Sequence, residues 1–175
     1  YHTFFFMLFD RSEENRIHFA SAMTLLGYND GADAMAGVSY LHIAEFIIRH
    51  GATPDADLEE LWRRIVFNIC VSNSDDHLRN HGFLLTPKGW VLSPAFDINP
   101  IPSSTGLSLN ISEHSNTLDL ELAREVAEKF RVNNKKREAI INEVVKVVSH
   151  WREIASRIGI ARSEMGRMEN VFLSE

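Results

Sequence analysis

The amino-acid sequence predicts a mainly α-helical domain with an aromatic strand at its start and a short β-hairpin near its middle. Apolar residues recur at helical spacing in most segments beyond Arg16. The opening run YHTFFFMLF is rich in the aromatic residues that favour strands. Two apolar segments, GFLL and WVLSPAF, flank the turn sequence TPKG, and this pattern predicts a hairpin.

The first part of the chain predicts a strand followed by helices. Residues 1–10 read as a buried strand, whose sheet partners should lie late in the chain or outside it, because the next 60 residues contain no comparable strand. A short helix is expected from Arg16 to Leu26, closed by Gly27. A loop over 28–37 and a helix over about 38–49 follow, so residues 11–71 should be largely helical.

The clearest helix begins after Thr53, which is a suitable N-cap, with Pro54 at the first helical position. Its apolar stripe is predicted to be core and consists of Leu58, Leu61, Trp62, Ile65, Val66 and Ile69. Residues 72–100 should hold a polar loop and the hairpin, and 101–117 a loop rich in Pro, Ser, Gly and Asn. Residues 118–175 predict two further helices, the second in one register from Ile140 to Ile158.

Composition limits the function classes. A chain of 175 residues, 45% of them hydrophobic, fits one domain with one core. Its net charge of −6 argues against a broad basic surface for nucleic acid. The single cysteine, Cys70, lies in an apolar helical pattern and predicts a buried thiol in a reducing, cytoplasmic setting. We expect no signal peptide and no membrane span, since no apolar stretch approaches about 20 residues.

Chemistry is expected in the segment SNSDDHLRNH, residues 72–81, which combines acids, amides, imidazoles and a guanidinium. A solvated loop is the ordinary reading of such a segment. The separation of Asp75 from Asn80 equals that between the catalytic Asp and the metal-binding Asn of protein kinases, and Asp97 supplies an acid after the hairpin. Asp76 competes for the base role, but only Asp75 has this spacing to Asn80.

The local text resembles one kinase family. Residues 75–80, Asp-Asp-His-Leu-Arg-Asn, resemble the D-x-H-x-K-N loop of HipA-like serine/threonine kinases, with Arg79 in place of Lys. Residues 93–98, Ser-Pro-Ala-Phe-Asp-Ile, resemble the L-x-P-x-Y-D-I segment of that family, with Phe96 in place of Tyr. Residues 9–11 and 16–18 look like its R-F-D-R hinge segment, and 39–41 also fits. The resemblance covers about residues 3–100.

The resemblance implies a role for individual residues. Asp75 would be the catalytic base, and Asn80 and Asp97 the magnesium ligands. The backbone of Met7, Leu8 and Phe9 would form part of the adenine pocket, so that residues 1–10 would be the hinge strand of a C-terminal kinase lobe.

His77 and Arg79, also in this loop, each have two alternative roles. His77 would lie with the nucleotide-binding residues, although a packing and hydrogen-bonding role is the simpler reading of a lone imidazole. Arg79 would steady the transferred phosphate through its forked guanidinium, or would form an ion pair with a nearby Asp.

The family resemblance also implies an activity and partners. The activity would be ATP- and magnesium-dependent phosphorylation of a protein hydroxyl by the toxin of a toxin-antitoxin pair, with a tRNA ligase as a possible substrate and a cognate antitoxin as partner. No Gly-rich loop or strand lysine precedes Asp75, so we expect the N-terminal nucleotide-binding lobe to be absent here and the isolated chain to be inactive. The alternatives are a non-catalytic, kinase-like interaction module and a metal-dependent phosphoesterase.

Overall fold

The structure, a computed structural model, describes residues 8–11, 15–102 and 105–172 of the chain. About half of the chain is helical, and a small antiparallel sheet completes the fold, so the predicted mainly α class is confirmed. The strands are β1 (Phe19–Ser21), β2 (Gly82–Thr86) and β3 (Gly89–Leu92). The α-helices are α1 (Ala22–Leu26), α2 (Tyr40–His50), α3 (Pro54–Cys70), α4 (Leu120–Val126), α5 (Asn134–Ser149), α6 (Trp151–Arg157) and α7 (Arg162–Arg167).

The sheet corrects the predicted helix over residues 16–26. Its strand order is β1-β2-β3, and β1 pairs antiparallel with β2, so that Ser21 lies opposite Gly82. Only the second half of the expected helix forms, from Ala22 to its C-cap Gly27, where φ is +72°. The segment before it is extended because the backbone of β2 offers hydrogen-bonding partners that lie more than 60 positions away in sequence.

Helix α3 is the central core element and follows its prediction closely. It begins after Thr53 with Pro54 in its first turn, and its stripe is fully buried. Trp62 is 0% exposed and donates its indole N–H to the carbonyl oxygen of Ala123 at 2.9 Å, which ties α3 to α4. Cys70 is buried at the end of the helix, as expected.

The C-terminal helices differ from the single register predicted for Ile140 to Ile158. The second helix divides at His150 into α5 and α6. The ring nitrogen Nδ1 of His150 lies 2.6 Å from the carbonyl oxygen of Lys146, which would otherwise accept the i+4 backbone hydrogen bond. The backbone N–H of His150 bonds instead to Val147, three residues back, and this tighter turn redirects the chain.

The expected hinge strand covers residues 1–10, of which residues 1–7 lie outside the described part of the chain. Within the described part, Phe9 and Asp10 form a turn, and none of residues 8–10 belongs to a strand. Ser93 to Phe96 also lie beyond the end of β3, so the predicted second hairpin strand is shorter than expected. In the described part of the chain, no helix is both long and apolar enough to cross a bilayer.

Candidate functional site

The polar loop over residues 72–81 lies between the end of α3 and the start of β2. It begins at Ser72, which has a left-handed φ of 52°, a conformation that turns the chain sharply out of the helix. The carbonyl oxygen of Ser72 accepts the backbone N–H of Ile101 at 3.1 Å, and the loop ends in a single 3₁₀ turn, Leu78–Asn80. The loop is therefore held at both ends and is also tied to the chain after the hairpin.

Asp75 is exposed, and its backbone is held in place. The carbonyl oxygen of Asp75 accepts the backbone N–H of His77 at 3.1 Å and a side-chain N–H of Asn80 at 3.1 Å. Among the described residues, no hydrogen bond reaches the Asp75 carboxylate. This residue thus presents a free carboxylate on a constrained main chain, which suits a group that must accept a proton from a substrate.

Asp76, its neighbour, is 4% exposed and faces the core. Its Oδ2 atom accepts hydrogen bonds from the Tyr40 hydroxyl at 2.5 Å and the Asn68 amide at 2.6 Å, and lies 3.0 Å from Nε2 of His81. Burial acts to raise the pKa of Asp76, but the His81 imidazole and the hydrogen bonds outweigh it, so the pKa lies below its ordinary value. We call these four residues the Asp76 cluster.

The Asp76 cluster was missed by sequence reasoning. Tyr40 stands in the quoted 39–41 segment, but the sequence pattern assigns no role to Tyr40, Asn68 or His81. Burial and the charge on Asp76 raise the pKa of Tyr40 well above its ordinary value. Helical periodicity places Tyr40 and Asn68 on the buried faces of their helices. Their hydrogen bonds to Asp76 depend on how α2 packs against α3.

Asn80 and Asp97 carry the atom types that magnesium prefers, an amide oxygen and a carboxylate. The Asn80 side chain donates its N–H to Asp75, and this leaves its carbonyl oxygen for a ligand. Asp97 is exposed, has a left-handed φ of 56°, and accepts an N–H from the Asn99 side chain at 2.9 Å. These features fit a magnesium site, while the convergence of the two side chains on one ion stays a prediction.

A hydrogen-bonded link joins the loop to the Asp97 segment. The side-chain oxygen of Asn73 accepts the backbone N–H of Asn99 at 3.3 Å, and Asn73 in turn donates to the Asn68 side chain at 3.0 Å. Within the described residues, no group of three or more His, Cys, Asp or Glu side chains could hold a metal ion.

An open, mainly apolar cleft of about 690 Å³ lies next to Asp97. The rings of Phe9, Phe19 and Phe96 form its aromatic wall, with centroids 5.9–6.2 Å apart. Leu8 also lines the cleft. The structure thus brings together the predicted residues Leu8, Phe9 and Asp97, whereas Met7 lies outside the described residues.

Arg79 and His77 face a different cavity, of about 190 Å³, on the side of the loop that meets residues 29–33. Arg79 forms an ion pair with Asp30 and lies 2.8 Å from Nε2 of His77. The Nδ1 atom of His77 is buried and has no hydrogen-bonding partner within the described part of the chain. Arg79 thus makes an ion pair of the kind that one of its two alternatives describes, while its contact with phosphate stays a prediction.

Comparisons with known proteins place this geometry in a family. The chain matches the family model described as HipA-like C-terminal domain over residues 2–151. A Haemophilus influenzae protein named "Putative kinase" is 38% identical over 89 residues, which cover 45% of this chain and 25% of that protein. HipA of Shewanella oneidensis MR-1, solved with HipB and operator DNA, has the same fold, with a TM-score of 0.72 at 16% identity over 94% of this chain and 45% of its own. The chain spans less than half the length of either relative, and it belongs to the HipA-like C-terminal domain family.

Proposed function

We propose that this chain is the C-terminal catalytic lobe of an ATP- and magnesium-dependent protein serine/threonine kinase of the HipA toxin type. Membership of the HipA-like family and the likeness to a protein named as a kinase support a phosphotransferase. The substrate would be a protein hydroxyl, with a tRNA ligase as one candidate. The protein would act in the cytoplasm.

One observation supports this proposal above the others: Asp97 lines the aromatic cleft. ATP combines a flat apolar base with a charged triphosphate, so a nucleotide site needs an apolar slot next to oxygen ligands for its magnesium. Phe9, Phe19 and Phe96 supply the slot, and the exposed carboxylate of Asp97 lines the same cleft. A phosphoesterase site would not require the aromatic wall.

The residues of the loop then take distinct tasks. Asp75 accepts or orients the proton of the acceptor hydroxyl, since its carboxylate is exposed and accepts no hydrogen bond from any described residue. Asn80 and Asp97 would hold magnesium, which when bound with ATP neutralises phosphate charge. Arg79 would contact phosphate through the part of its guanidinium that Asp30 does not engage. His77 orients the Arg79 side chain through its Nε2.

Partners follow by analogy with the solved relative. Because the Shewanella HipA structure contains HipB and operator DNA, we propose a cognate antitoxin as a partner of the full-length protein. Direct DNA binding by this lobe is not proposed, because its net charge is −6.

The test is magnesium-dependent ATP binding by the full-length protein, measured by calorimetry with and without magnesium. Wild type should bind ATP more tightly with magnesium, and Asp97→Ala should lose most of this gain as well as phosphoryl transfer to a protein acceptor. Asp55→Ala is a matched control, because Asp55 is an exposed acid that pairs on the surface with Arg131.

Two other outcomes would replace the proposal. A wild-type protein that binds no ATP but still binds its antitoxin would be the non-catalytic interaction module. Metal-dependent release of phosphate from a phosphoester without ATP would identify a phosphoesterase instead.

A further inference from the structure

We infer that the Asp76 cluster is an anchor that sets the conformation of the loop around Asp75. The four residues of the cluster are therefore positioning residues for Asp75. The inference rests on the proposed function for its catalytic part. Its structural part, selective control of loop 72–81, stands on the contacts alone.

The anchor joins three separate parts of the fold to one atom. Tyr40 comes from the first turn of α2, Asn68 from the last turn of α3, and His81 from the residue before β2. All three converge on Oδ2 of Asp76. Because Tyr40 and Asn68 sit on helices outside loop 72–81, these two donors set the position of Asp76 from outside the loop.

Because the Asp76 cluster is buried, its polar groups must be paired with one another. Tyr40 is 0% exposed, and its ring lies edge-on to the His81 ring with centroids 5.6 Å apart. A carboxylate enclosed in this way is stable only with donors around it, and donors left without an acceptor would be costly to bury. An apolar residue at position 76 would leave the Tyr40 hydroxyl and the Asn68 amide unpaired, so the cluster selects one placement of this side chain.

The consequence for Asp75 is geometric. With the side chain of Asp76 held inward and the carbonyl oxygen of Asp75 held by His77 and Asn80, the backbone on both sides of the Asp75 carboxylate is constrained. Asp75 is exposed while Asp76 is buried. Loosening the anchor should therefore misplace the base and leave the aromatic cleft intact, and a misplacement of about 1 Å can cost on the order of 100-fold in rate.

Tyr40→Phe is the sharpest probe, because it removes one hydroxyl from a ring that stays packed. Tyr28→Phe is its matched control. Tyr28 is half-buried, its ring is tilted against the His42 ring with centroids 5.8 Å apart, and its hydroxyl makes no hydrogen bond in the described residues. Asp76→Asn keeps an acceptor oxygen and should resemble wild type more than Asp76→Ala does. If Asp76→Ala fails to fold, Tyr40→Phe and Asp76→Asn still decide the question.

The first measurement is amide hydrogen exchange on the full-length protein, which needs no activity. We expect Tyr40→Phe to speed exchange in loop 72–81 by about tenfold, as for the loss of one hydrogen bond to a charged group, while exchange in α3 stays at its wild-type rate. Tyr28→Phe should change neither. Equal acceleration in loop and helix, or none in the loop, would overturn the anchor.

The second measurement is steady-state kinetics, normalised to the number of ATP-binding molecules. Tyr40→Phe should lower kcat about tenfold and change the KM for ATP by less than about twofold. A simple loss of folded protein would leave kcat unchanged, because the rates are normalised to the molecules that bind ATP. An unchanged kcat in Tyr40→Phe would overturn the positioning role. If wild type transfers no phosphate while the loop still responds selectively, the kinase proposal fails and the anchor stands.

Discussion

The side-chain amide of Asn80 donates to the carbonyl oxygen of Asp75 at 3.1 Å, so that the proposed base and a proposed magnesium ligand are joined within a single loop. The bond uses the main chain of one residue and the side chain of the other. It therefore uses neither the Asp75 carboxylate nor the side-chain carbonyl oxygen of Asn80, the two groups for which we propose roles in proton acceptance and metal binding.

Replacement of the Asp75 carboxylate is the most direct test of the proposal that Asp75 is the catalytic base. We expect Asp75→Asn in the full-length protein to lower phosphoryl transfer by about 10²–10⁴-fold, the usual contribution of a general base, with ATP affinity nearly unchanged. Single-turnover transfer and ATP calorimetry check the two halves. Wild-type turnover in Asp75→Asn together with its loss in Asp76→Asn would reverse the roles of the two acids.

The Arg79–Asp30 ion pair separates a structural role of Arg79 from a catalytic one. The pair is exposed, so either Arg79→Ala or Asp30→Asn should change the free energy of unfolding by at most about 1 kcal/mol. Arg79→Ala should also slow phosphoryl transfer roughly 10–100-fold through a lost charge-assisted contact, and Asp30→Asn should not. Equal rates in the two variants would show that Arg79 serves only the pair.

Cys70 supplies a test of burial and of pH dependence. Burial raises the pKa of its thiol from 9.0 to about 11. A thiol reagent at pH 8 should therefore label native protein far more slowly than denatured protein. Since the unfolded state loses this proton first, stability should fall as the pH rises from about 9 towards 11, and Cys70→Ala should lack that component. Rapid labelling of the native protein would contradict the buried position.

Trp62 tests the junction between α3 and α4. Trp62→Phe removes the indole N–H that bonds to the carbonyl oxygen of Ala123 and leaves that buried oxygen unpaired. We expect the free energy of unfolding to fall by about 1–3 kcal/mol in urea titrations, with an unchanged m-value. Trp90→Phe is the control, because Trp90 is half-buried and its indole makes no hydrogen bond in the described part of the chain. A similar loss in both variants would assign the effect to ring size alone.

Local signals predicted the parts of this protein whose causes are local. Thr53 and Pro54 mark the start of α3, and Gly27 ends α1 because its φ of +72° suits a residue without a side chain. Asp75 and Asn80 are close enough in sequence to lie in one loop, where the Asn80 side chain bonds to the carbonyl oxygen of Asp75. Residues close together in sequence decide these features, so a pattern in the sequence can reveal them.

The tertiary structure alone decided the features that join distant segments. Phe19 to Ser21 form a strand because β2 lies beside them. Asp76 is buried, while Asp75 is exposed, because α2 and α3 bring Tyr40 and Asn68 to the same oxygen atom. The identity of two adjacent aspartates carries no information about which one meets these donors. That choice depends on the packing of helices, and only the three-dimensional arrangement of the chain contains it.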